Sequence, residues 1–199
     1  MSRPQTHALG LRVKSGWATA VLVAGPARAP RVVDRRTIAL SDPAVAASRQ
    51  PYHAVMGARA SDAANVEAML RGVVARVTRR SLGALIAEYR AAGHRVSRVA
   101  LVVGSLIDPA RIGNDHIRAH ALEGQLFRTA LEGAVRSRRL PCSVVVERAV
   151  YATAAGTLRR SERELKRAVT ALGRSRAGQW RADEKTATAA AWMTLRGRA

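Results

Sequence analysis

The sequence predicts an α/β protein: a mixed five-stranded sheet, three antiparallel strands followed by β-α-β-α-β, with helices on both faces. Three observations lead there. Extended Val- and Leu-rich segments at 7–13, 17–24 and 30–40 follow one another at short spacing, which suits antiparallel neighbours. Strand-like and helix-like segments then alternate, which suits parallel strands joined by helical crossovers. No internal repeat divides the chain, so all five strands are expected in one sheet.

Each element rests on a local signal. Lys14-Ser15-Gly16 separates the first two strands, and Gly16 accepts the positive φ of a tight turn. Gly25-Pro26 breaks the chain before the third strand. Residues 41–62, with Pro43, Pro51 and Gly57, read as an irregular insertion or lid. Ser61 or Asp62 then caps a helix in which Val66, Met69, Leu70, Val73, Val74 and Val77 recur at helical spacing. Leu82, Leu85, Ile86 and Tyr89 continue that stripe beyond a candidate break at Ser81, and Gly93 ends it. A buried strand is expected at 98–107, and a helix at 115–138 with Ile117, Ala121, Phe127, Leu131 and Val135 on one face. The fifth strand covers 141–148, and two helices at 159–173 and 183–195 complete the order β-β-β-α-β-α-β-α-α. Residues 1–6 read as a flexible arm, and 7–199 as a single domain.

Charge bounds the function. The 199-residue chain carries 34 lysines and arginines against 14 aspartates and glutamates, a net charge of +20. Lysine occurs only at 14, 166 and 185, so arginine dominates, and its planar fork of donors suits phosphate oxygens. Coding bias enriches arginine but does not deplete acids, so the imbalance points to a polyanion, DNA or RNA first. No apolar run reaches the ~18 residues of a membrane span, and no basic helix carries a Trp- or Phe-rich face, so no membrane partner is expected. The start lacks a secretory pattern, and the single Cys142 sits in an apolar run as a small core residue. The expected location is cytoplasmic.

Beyond these patterns, LGLRVKSGWATAVL resembles the opening strand pair of RuvC-type Holliday-junction resolvases, members of the ribonuclease-H-like superfamily. VALVVGSLI, Asn114 and ALEGQLFRTALEGAVRSRRLPCSVVVE are similar to that family's fourth strand, following helix and fifth strand. ELKRAVTALG resembles its lysine-containing segment, and RADEKTATAAAW its acidic last helix. The resemblance covers the chain except about 41–65 and implies a ribonuclease-H-like fold. It also implies four carboxylates that hold two divalent metals. At those positions this sequence has Arg12, Gly104, Asp183 and Thr186. One acid remains and one position has reversed its charge, which implies a degenerate, non-catalytic member.

Other acids allow a second reading. Glu147, Asp183 and Glu184 are the candidate catalytic residues of a Mg²⁺-dependent endonuclease with relocated acids, and Asp108 is a further candidate. The simpler expectation pairs Glu147 with an arginine and places Asp183 and Glu184 at a helix N-terminus. His116 and His120 lie one helical turn apart, and Glu123 could join them. They lack an evident third ligand and the Glu of a zinc hydrolase, so no metal is assigned. No phosphate-binding glycine loop is present.

The candidate nucleic-acid-binding residues are Arg12, Lys14, Arg35 and Arg36 on the early strands, Arg138 and Arg139 after the second long helix, and Arg159, Arg160, Arg163, Lys166 and Arg167 on the next. Arg174, Arg176 and Arg181 extend that stretch. Trp180 is expected to pack against the last helix in preference to stacking on a base. The leading expectation is a non-catalytic domain that binds branched or structured nucleic acid through these arginines, as a homodimer or within a larger nucleoprotein assembly, without a cofactor. The alternatives are the relocated-acid nuclease and a basic adaptor for an acidic protein.

Overall fold

The computed structural model describes residues 6–173 and 178–196. Most of the predicted arm, and Arg174 and Arg176, lie outside the described residues. The predicted sheet forms, in the order β3-β2-β1-β4-β5. Strands β1 (His7–Lys14), β2 (Trp17–Ala24) and β3 (Arg31–Ala39) form the antiparallel meander, with Lys14 opposite Trp17 across the Ser15-Gly16 turn. Gly16 has φ 87°, as the turn demands. Strands β4 (Val96–Val103) and β5 (Cys142–Val146) add in parallel beyond β1.

Alternation along β1 divides the molecule into layers. Leu9, Leu11 and Val13 face one side, where they pack with Leu82, Leu85, Phe127 and Leu131 of α2 (Ala60–Ala91) and α3 (Asp115–Arg136). Burying a side chain such as Phe127 contributes roughly 1.5–3 kcal/mol. Ala8, Gly10 and Arg12 face the other side, toward α6 (Ala182–Leu195). That helix is short-chained at Ala187, Ala189, Ala190 and Ala191, all fully buried, so it sits deep between the sheet and α4 (Val150–Leu158). A Cβ added at Gly10 would lie 1.9 Å from the Ala187 carbonyl oxygen, so this approach requires glycine.

Several elements differ from expectation. The predicted irregular stretch contains a 3-10 turn at Ala46–Arg49 and the short helix α1 (Pro51–Ala54). Helix α2 starts at Ala60, with Arg59 rather than Ser61 or Asp62 at the N-cap position, and it runs through Ser81 unbroken. Val66 and Met69 are exposed, because the buried stripe begins only at Leu70. Strand β4 stops at Val103, and Ile117 is exposed near the start of α3. Cys142 is exposed at the outer strand instead of buried in the core.

The last third carries one more helix than the order read from the sequence. Helix α4 ends on Arg159 in the left-handed region, φ 54°. Ser161 then opens α5 (Glu162–Gly173) with a reciprocal cap: its hydroxyl receives the Glu164 amide, and its own amide donates to the Glu164 carboxylate. Arg159 therefore belongs to the end of α4, not to the helix that carries Arg163, Lys166 and Arg167. Among the described residues, no helix is long and apolar enough to cross a membrane.

Candidate nucleic-acid interface and its ion-pair cluster

The C-terminal ends of β1 and β4 open onto a cleft of about 380 Å³, lined by Arg12, Lys14, Gly104, Ile107, His120 and Gly124 among others. Most of its lining is apolar, from Val13, Val103, Ile107, Ile112 and Phe127, and Arg12 with Lys14 brings charge to one end of it. Arg12 is only 3% exposed. Its guanidinium donates to the Glu147 carboxylate and, at 2.7 Å, to the Val13 carbonyl. Its Nε lies 3.7 Å from Asp183 Oδ1, and Lys14 Nζ approaches the same oxygen at 3.4 Å. Strand β1, the end of β5 and the first turn of α6 thus bring two cations and two carboxylates together.

Such a cluster neutralises itself. The guanidinium, with 4% side-chain exposure, is tolerated because its terminal nitrogens meet the Glu147 carboxylate and the Val13 carbonyl, while its Nε has the Asp183 charge nearby but no hydrogen-bond partner. Gly104 contributes no ligand, and a Cβ there would meet open space. Thr186, one turn beyond Asp183, donates its hydroxyl to the Asp183 carbonyl. These residues do not fit a pair of Mg²⁺ ions, which need carboxylate oxygens free to coordinate. Here Asp183 and Glu147 face a guanidinium, and Glu184 faces Arg35 at 3.6 Å and accepts the Arg181 amide. Asp108 is turned to the Ala110 amide, capping a short 3-10 turn.

The other candidate basic residues separate into two groups. Arg35 lies over Trp180 and donates to the Gln179 carbonyl. Trp180 itself packs over Gly173 and donates to the Val169 carbonyl at 3.0 Å on α5, and it also packs against the cluster that includes Ala187 and Ala191 of α6, as expected. Arg36 pairs with Asp34 and Glu88 beside Tyr89. Burial first, and then the hydrogen bond to Asp34, raise the Tyr89 pKa far above its ordinary value. Arg138 joins α3 to α2 by donating to the carbonyls of Ala134 and Arg79. By contrast Arg139, Arg159, Arg160, Arg163, Lys166 and Arg167 are all exposed. Arg160 lies over Trp192, and Lys166 over Tyr151 with Glu162 at 3.3 Å.

Sequence reasoning missed His53. It lies on α1, in the segment read as irregular, and its ring meets those of His116 and His120. The Pro51 start of a helix was the available local signal; the contact itself is tertiary.

No protein-family model matches the chain, and no curated protein matches it. Solved structures do. RuvC of T. thermophilus in complex with a Holliday junction substrate aligns over 96% of this chain and 94% of its own, with a TM-score of 0.57 and 12% identity. The fold is RuvC-like. A second Thermus thermophilus RuvC structure gives a TM-score of 0.55 at 11% identity over the same shares of the two chains. The RuvC-like sheet order, the helices on both faces and the terminal α6 across β1 thus agree with the ribonuclease-H-like expectation.

Proposed function

We propose that this chain is a non-catalytic RuvC-like domain that binds nucleic acid along its phosphate backbone. One observation carries the reading: the Arg12 guanidinium lies buried between Glu147 and Asp183, at the strand end where the resemblance implies a metal-binding aspartate. An internal cation there does structurally what bound metals do for clustered acids, and it repels added metal ions.

The binding surface follows from the remaining charge. With +20 overall, and many of the acids engaged in internal pairs, exposed arginines dominate. On α5, Arg163, Lys166 and Arg167 share the solvent side, and Arg159 and Arg160 extend it from the end of α4. Arg139 projects separately after α3. Arg12 is buried beside the cleft, while Lys14, about one-third exposed and 3.4 Å from Asp183, is the more accessible of the two cations. Phosphates bound to these side chains release counterions, so affinity falls steeply with salt. A branched or structured duplex suits the reading, since the solved RuvC relative is bound to a Holliday junction substrate.

Fluorescence anisotropy with labelled four-way junction, duplex and single-stranded DNA, and RNA equivalents, over a salt series tests this. The expected result is a linear fall of log affinity with log salt. Affinity that ignores salt overturns the proposal, and binding only to acidic protein favours the adaptor reading instead. The relocated-acid nuclease is less well supported, because Asp183, Glu147 and Glu184 all face arginines.

A further inference from the structure

We infer that His53, His116 and His120 form a binding site for a zinc-class transition-metal ion at the rim of the cleft. The inference is independent of the nucleic-acid reading. Helix α3 places His116 and His120 one turn apart, and α1 brings His53 against both. One nitrogen from each ring lies within 4.8 Å of the other two. His53 Nε2 and His116 Nδ1 are 3.2 Å apart. Two nitrogens bound tetrahedrally at about 2.0–2.1 Å from one zinc ion stand about 3.3 Å apart.

The surroundings are arranged as a ligand set requires. Glu123 is fully buried, and its Oε1 lies 2.7 Å from His53 Nδ1. A carboxylate there holds the ring proton on Nδ1 and turns the Nε2 lone pair toward His116 and His120, as the outer partners of metal-bound histidines commonly do. The other Glu123 oxygen, Oε2, is buried without a hydrogen-bond partner and lies 3.6 Å from His120 Nδ1. That oxygen is available to orient a second ring or to join the coordination sphere. A buried carboxylate beneath three imidazoles is an expensive arrangement for a solvated helix end and a useful one for a cation.

Donor chemistry selects the metal. Neutral imidazoles suit Zn²⁺, Co²⁺ or Ni²⁺ and serve Mg²⁺ poorly. Three protein ligands leave a fourth position for water, since His116 and His120 are exposed. The ion would pin α1, and with it the connection between β3 and α2, to the start of α3.

The test uses untagged protein stripped with a chelator and then titrated with Zn²⁺ against a chromophoric competitor, with Co²⁺ absorption reporting geometry. One ion per chain is expected, with a tetrahedral Co²⁺ spectrum and a rise in melting temperature on adding Zn²⁺. His53→Ala, His116→Ala and His120→Ala should each weaken binding about 100-fold or more, and Glu123→Gln about 10–100-fold. The exposed His116 and His120 variants preserve the fold, so their loss of binding reads the site directly, with circular dichroism as the control. Absence of Zn²⁺ binding to the intact chain overturns the inference. So does binding unchanged in folded His53→Ala, which would mean an ordinary surface pair on α3.

Discussion

The Arg12 guanidinium donates to the Glu147 carboxylate across 135 residues of sequence, joining the end of β1 to the end of β5. Asp183 closes the group from α6. Arg12→Met should therefore leave two carboxylates without their main cation. Removing one partner of a buried pair costs about 3–5 kcal/mol; with Glu147 at 40% exposure, about 2–3 kcal/mol is expected. Urea unfolding of the two proteins checks this. Glu147→Gln retains an acceptor and should cost about 1 kcal/mol.

Packing of α6 on β1 depends on Gly10. Gly10→Ala drives a methyl group into the Ala187 backbone, which cannot swing aside as a flexible side chain would. A loss of about 3 kcal/mol is expected, from forced separation of helix and sheet. Thermal unfolding measures it, and Gly104→Ala, facing open space, serves as the nearly neutral control.

All three tyrosines, Tyr52, Tyr89 and Tyr151, have pKa values raised by burial above the ordinary 10.0. For an acid whose folded pKa is raised, stability is intact below the unfolded value and declines as pH climbs above it. Alkaline absorbance titration should thus show little phenolate near pH 10 in the folded chain. The main rise should coincide with loss of helical circular dichroism.

Arg159 combines backbone strain with an exposed charge. Its left-handed backbone, φ 54°, ends α4 without the glycine that usually fills such a position. Arg159→Gly should stabilise the fold by about 1 kcal/mol while lowering affinity for nucleic acid. The salt dependence should become shallower by about one unit of slope. Chemical unfolding and anisotropy on the same variant read both effects.

The sheet was legible because its signals are local. Ser15-Gly16 fixes a turn, alternation fixes the faces, and the later strands are continuous apolar runs. Helix α4 was not, since VYATAAGTL starts on a β-branched residue next to a strand and lacks a side-chain cap. The Ser161-x-x-Glu164 cap that separates it from α5 was present in the sequence and is the signal to weigh. At the cleft, an arginine partner for Glu147 was readable. The convergence of Lys14 and Asp183 on one cluster is a product of the fold. His53 was hidden because its segment, rich in proline and glycine, resembles a loop until α3 is placed beside it.

The proposed reading has the cluster of Arg12, Lys14, Glu147 and Asp183 in place of a metal-binding carboxylate set. Incubating a labelled four-way DNA junction with the protein and Mg²⁺, at low salt, tests it most directly. The account predicts a retarded complex whose strands remain intact, unchanged when Mg²⁺ is chelated. Mg²⁺-dependent strand cleavage that disappears in Asp183→Asn would contradict it.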